Sequence, residues 1–148
     1  MNNRMKSLRN QQGTEVVEFA ITASLLFLIL FGIIEFSVAL FDKATLTNAS
    51  REGARAGILF RNPPSEAEAD AAITDAIANY EDFLISLGGE ASLTTSIVRN
   101  DPDGDGFGRG DDLIVTVTYP YQYLILSEFI GTLGGELTLS ATTVMRGE

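Results

Sequence analysis

The stretch VVEFAITASLLFLILFGIIEFSVALF, residues 16–41, carries only two charged side chains, Glu18 and Glu35, and from Phe19 to Ile34 it has none in sixteen residues. A helix needs about 20 predominantly apolar residues to cross the hydrocarbon of a bilayer. The full 26-residue run is long enough, while its uncharged part alone is slightly short. Glu18 is therefore expected near one membrane face. Arg4, Lys6 and Arg9 precede the run and Asp42 follows it. The positive-inside bias then puts the N-terminus in the cytoplasm and the rest of the chain outside. This divides the chain into a basic leader (1–13), a transmembrane helix (14–41) and an extracytoplasmic domain (42–148). A cleaved secretory signal is the alternative, with Ser37 and Ala39 as its small residues. Such a signal normally has an apolar core of about 7–15 residues and no acid at its head, so a retained helix fits better.

Outward from the run, charge is divided unevenly. The formal charge is −10 overall, yet the first thirteen residues hold three cations and no acid, so the remainder carries −13. A body of that sign repels phosphate backbones, which bind proteins through clustered Lys and Arg, so nucleic acid is not an expected partner. Cys and His are both absent. Without them there is no thiolate nucleophile, no Cys/His zinc site and no imidazole for proton transfer near neutral pH. The expectation is that the protein is not an enzyme. The lack of Cys also removes disulfides as a clue to compartment, leaving the apolar run to locate the chain in the cell membrane as a single-pass protein.

Beyond the run, Ala49, Gly53 and Gly57 recur at every fourth residue, placing small side chains on one helix face. That spacing suits close contact with another helix and equally suits the lining of the domain's own core. Pro63 and Pro64 stop the helix. Ser65 and Glu68 form a capping-box pattern, followed by apolar Ala69, Ala72, Ile73, Ala76, Ile77, Tyr80, Leu84 and Leu87, with Gly88 and Gly89 as the stop. The spacing predicts an amphipathic second helix. The period then changes to two: Leu93, Thr95, Ile97; Leu113, Val115, Val117, Tyr119; and Leu137, Leu139, Ala141, Thr143, Met145. These are three strands. An Asp/Gly-rich segment, 101–112, joins the first two, and a longer excursion with Pro120, Tyr121 and Tyr123 precedes the third. The fold class is α+β: a long N-terminal transmembrane helix leading into a small domain with a second helix and about three antiparallel strands.

The leader boundary reads Gly13-Thr14-Glu15-Val16-Val17-Glu18-Phe19. Gly13 suits a cleavage site because it lacks a side chain and lets extended backbone enter a protease, while the basic leader holds the substrate at the cytoplasmic face. Cleavage there leaves Thr14 first and makes Glu18 the fifth mature residue. The new α-amino group, on this subunit or a neighbour, is then a natural partner for a carboxylate that is costly to leave alone in lipid. Read by itself, Glu18 is equally a first-turn acid that favours the helix dipole at the headgroups.

These residues resemble the TadE-like pseudopilins of tight-adherence (Flp-type) pilus systems, small relatives of type IV pilins. The resemblance is carried by Gly13-Thr14-Glu15-Val16-Val17-Glu18-Phe19-Ala20, then Leu30-Phe31-Gly32-Ile33-Ile34-Glu35-Phe36, then Asn48-Ala49-Ser50-Arg51-Glu52-Gly53-Ala54-Arg55. Weaker likeness runs from Gly110 to Tyr121 and through Val144-Met145-Arg146. The resemblance implies a pilin-like domain, processing by a prepilin-type peptidase between Gly13 and Thr14, and a minor role in a pilus assembly machine. Its implied partners are the membrane, the peptidase, other pilin-like subunits and the assembly platform, with a place at the tip or base of the pilus. Glu18, Phe19 and Glu35 are the assembly candidates. Glu35 can face a partner helix or the outer headgroups, and the headgroups solvate it without a partner.

Residues 101–112 place Asp101, Asp103 and Asp105 at the first, third and fifth positions, Gly106 at the sixth and Asp112 at the twelfth, with the Phe107 carbonyl between. Calcium loops use that spacing to surround the ion with oxygens. Arg109 stands where a ligand is usual, Asp112 is shorter than the expected bidentate Glu, and strands rather than helices flank the loop. A solvated Asp-Gly turn is the alternative. Calcium is the single cofactor candidate. The rival overall reading is a membrane-anchored calcium-binding or adhesive module that never joins a filament.

Overall fold

The computed structural model describes residues 4–59, 66–86, 92–102, 104, 106–123 and 137–147, with side chains from Gly13 onward. Helix α1 spans Arg4–Leu59 and α2 spans Glu66–Ala78, followed by a short 3₁₀ turn at Glu81–Phe83. Strands β1 (Thr94–Asn100), β2 (Asp112–Tyr121) and β3 (Leu137–Arg146) form an antiparallel sheet in the order β1-β2-β3. The chain is α+β, as expected, and divides into two compact units, Met1–Phe36 and Ser37–Glu148.

In the first unit the apolar side chains of α1 stand exposed on every side, among them Phe19, Ile21, Leu25, Phe27 and Ile29. A helix apolar all round is stable only in an apolar environment. This is one helix long and apolar enough to cross a membrane. Its two hydroxyl residues in the uncharged stretch bond the preceding turn: Thr22 Oγ1 donates to the Glu18 carbonyl at 2.9 Å and Ser24 Oγ to the Ala20 carbonyl at 2.8 Å. No hydroxyl is left needing water there.

In the second unit α1 becomes one-sided. Ala39, Asp42, Leu46, Ala49, Gly53 and Gly57 are buried, three or four residues apart, so one stripe faces inward. Ala49, Gly53 and Gly57 thus line the domain's own core. A Cβ built on Gly53 would lie 2.8 Å from Ile77 Cγ1, and one on Gly57 2.5 Å from Leu113 Cδ2 and 2.7 Å from Ile73 Cδ1. Two bare turns of α1 therefore admit α2 and the middle strand together.

Helix α2 buries Ala69, Ile73 and Ile77, with Glu66 and Glu68 in its first turn, where acids favour the dipole. It ends earlier than the periodicity predicts. After Ala78 the bonds tighten, Tyr80 N–H to Ile77 O at 2.9 Å, then Phe83 N–H to Tyr80 O and Leu84 N–H to Glu81 O. Leu84 is extended, with ψ 138°. It reaches the core from a 3₁₀ turn instead of a helix face, because three residues per turn bring side chains round faster than 3.6. Ser65, Pro63, Pro64, Leu87, Gly88 and Gly89 lie outside the described residues.

Strand β2 alternates without a fault, burying Leu113, Val115, Val117, Tyr119 and Tyr121. It runs two residues further than expected, taking in Pro120 and Tyr121. The Lys43 ammonium reaches the Ser140 carbonyl, which therefore points away from β2. In an antiparallel pair the opposite residue, Thr118, then turns its own polar groups away from β3, and so does position 120. Strand β1 ends opposite Thr118, so Pro120 forfeits no ladder bond and the central strand can hold it. Each large apolar side chain sealed into this core contributes about 1.5–3 kcal/mol. A polar contact between Ser50 Oγ and Thr143 Oγ1 at 2.8 Å fixes α1 on β3. On the other flank Arg99 of β1 pairs with Asp70 of α2 and stands 5.8 Å from the Phe107 ring centre.

Candidate functional site

Gly13 and Thr14 lie within α1, and nothing approaches within 4 Å of where a Cβ on Gly13 would sit. The Gly13–Thr14 peptide is thus helical, and any protease cutting there would have to unwind it. Gly is about 1 kcal/mol less favourable than Ala in a helix interior, which makes this the cheapest place in the segment to open. Glu15 and Glu18 are exposed, as is Phe19 at 74%. Gly13, Thr14, Glu18 and Phe19 therefore form one accessible helical segment. Glu35 differs, being 2% exposed. It has an interaction within the chain.

The Asp/Gly loop is organised by its own backbone. Asp101 accepts the Gly104 N–H on Oδ1 at 2.7 Å and the Gly106 N–H on Oδ2 at 2.9 Å, with φ of 75° and 98° at the two glycines. That left-handed backbone is open to glycine and strained for other residues. Asp112 Oδ1 lies 3.3 Å from Arg146 Nε across the β2–β3 pair, and Phe107 turns its ring under Arg99. Asp103 and Asp105 lie outside the described residues. Among the described residues no three acids gather as metal ligands. Asp111 was not singled out in the sequence. It is buried, its Oδ2 accepts the Gly108 N–H at 2.6 Å, and its carbonyl accepts the Gly147 N–H at 2.8 Å. It locks the loop to the end of β3.

Asp42 is the other residue whose role the sequence concealed, since there it marks only the end of the apolar run. It is fully buried; Oδ1 accepts the Ile85 N–H at 3.0 Å, and Oδ2 has no hydrogen-bond partner among the described residues. Burial raises its pKa above the usual carboxylate value, and the Ile85 bond only partly opposes this. Burial also raises the Tyr119 phenol, with a Ser86 hydrogen bond opposing and the Asp42 charge adding. A carboxyl whose pKa rises on folding binds its proton more tightly in the folded chain. Its contribution to stability is complete below the unfolded value near 3.8 and is lost as pH climbs through the raised one. The melting temperature of Asp42→Asn should accordingly fall less than that of the parent chain between pH 4 and neutrality. Parallel melting curves for the two would remove Asp42 from that slope.

With the helix and its boundary in view, comparison with known families finds a similarity in the N-terminal segment. Residues 13–55 match the family described as TadE-like protein. No curated protein and no solved structure matches the chain. The TadE-like segment begins at Gly13 and coincides with the part of α1 running through the exposed apolar stretch into the core stripe as far as Arg55. The sheet and α2 fall outside the match. The match covers less than a third of the chain.

Proposed function

We propose that this chain is a minor pilin-like subunit, a pseudopilin, of a tight-adherence pilus assembly machine. A prepilin-type peptidase removes residues 1–13, α1 anchors the mature chain with its domain outside the cytoplasm, and no enzymatic step is its own. The observation that carries the reading is the TadE-like match beginning at Gly13, on a helix whose accessible first turns lead into an exposed apolar span. After processing, the Thr14 ammonium lies one helical turn from Glu18, close enough to neutralise it in lipid. The pair guides docking against neighbouring pilin-like helices.

The test is the native protein isolated from membranes. Its N-terminus is expected at Thr14, with pilin-like subunits copurifying, and Glu18→Ala should be cleaved normally but recover fewer of them. Chains that begin at Met1, or after Ala39, would overturn the reading. Calcium-dependent melting combined with an unprocessed leader and no copurifying subunits would favour the rival, a membrane-anchored calcium-binding or adhesive module.

A further inference from the structure

Within the second unit, α1 and β2 run in opposite directions: Gly57 faces Leu113, and Asp42 faces Tyr119. Following β2 toward its C-terminus therefore means descending α1 toward the apolar run, which ends at Phe41. Two strand residues advance about 6.7 Å and each helical residue about 1.5 Å. Tyr121 therefore comes level with about Val38, below Asp42, and Tyr123 packs on it edge to face with ring centres 5.1 Å apart. The Ile85 N–H bond to Asp42 brings the segment after α2 to the same level. This end of the domain exposes apolar side chains: Ile85 at 41% and, two residues before it, Phe83 at 62%, with Leu40 and Phe41 of α1 also exposed. Among the described residues beyond Phe41, Phe83 is the one large exposed aromatic. The far end of the sheet carries the Asp112–Arg146 pair together with exposed Val98 and Val144.

We propose that Phe83 and Ile85 are seated in the outer leaflet of the bilayer that α1 crosses, at the boundary between headgroups and acyl chains. The occupant is lipid because Ile85 is bonded at the level of Asp42, where the apolar run stops, and apolar side chains at that depth bury into the interface. Half-buried Tyr80, whose ring centre lies 6.4 Å from that of Phe83, matches the aromatic belts found where bilayer meets water. Glu81 and Asp82 are exposed next to Phe83, so the surface suits zwitterionic rather than anionic lipid. This inference depends on α1 spanning the bilayer.

The chain contains no Trp, so a single introduced indole reports its own position. The full chain is reconstituted in phosphatidylcholine vesicles as Phe83→Trp, Phe27→Trp or Val98→Trp, with lipids brominated either near the headgroup end or deep in the acyl chain. Val98 pairs with Ile114, next to the residue facing Gly57, roughly 22 Å above Asp42 by helical rise. Shallow bromines are expected to remove most of the emission of Phe83→Trp and shift the remainder to the blue. Deep bromines should quench Phe27→Trp, and Val98→Trp should respond only to aqueous iodide. If Phe27→Trp is quenched while Phe83→Trp behaves as Val98→Trp does, the interfacial seat is wrong and the span stands. An unquenched Phe27→Trp would overturn both. Protection of Phe83→Trp from iodide without bromine quenching would give the surface to a second copy of the chain instead of lipid.

Discussion

Gly57→Leu is expected to lower the melting temperature of the domain by ~10–20 °C, as overpacking of 2–3 kcal/mol does in a domain of this size. The first added atom already meets Leu113 Cδ2 at 2.5 Å and Ile73 Cδ1 at 2.7 Å, and both residues are fully buried. The remaining side-chain carbons can be housed only by moving α2 away from α1 or lifting α1 from β2. Gly57→Ala tests the same geometry more gently. Its helix-propensity gain of about 1 kcal/mol offsets part of the clash, so it should fall between the parent chain and Gly57→Leu. Circular dichroism of the full chain in micelles, followed at the sheet signal, makes the comparison. A Gly57→Leu melt unchanged from the parent would mean that the α1–α2 approach is looser than described.

The second large effect is at the leader. Gly13→Val should abolish maturation, leaving essentially all of the chain with its leader attached when intact mass is measured from membranes. Gly13 has no neighbour within 4 Å, so the substitution disturbs no packing, and the apolar run that drives insertion is untouched. What changes is the substrate: a β-branched side chain stiffens the backbone next to the scissile bond and fills a space a glycine-selective site leaves closed. Gly32→Val is the matched control, because Gly32 also sits in α1 with nothing within 4 Å and is far from the boundary. It should mature normally. Full processing of Gly13→Val would remove Gly13 from the site, and equal failure of both variants would point to insertion instead of cleavage.

These two predictions rest on glycines that look alike in the sequence. Gly13, Gly32, Gly53 and Gly57 all occur in one helix, and their spacing alone allowed Gly53 and Gly57 to face either another subunit or the chain's own core. Only the fold separates them, because the distinction depends on Ile73, Ile77 and Leu113, which arrive from elements distant in sequence. The same holds for Asp42: its neighbours Ile85 and Tyr119 come from a loop and a strand that no local pattern connects to it.

Other features needed no tertiary information. The length and polarity of residues 16–41 determined that a helix of this chain can cross a bilayer, since lipid selects on those properties alone. The unbroken alternation from Leu113 to Tyr119 determined a half-buried strand, because period two is the geometry of a pleated chain. The end of α2 was less legible, as Tyr80 and Leu84 keep the apolar rhythm while the backbone has already tightened into 3₁₀ bonds. The Asp/Gly loop divides in the same way. Its turn was evident from composition, yet the engagement of Asp101 with Gly104 and Gly106, and of Asp112 with Arg146, was decided by which donors the folded strands brought within reach. Local pattern determines what a segment can be; what its polar and small residues touch is set by the partners that long-range packing delivers.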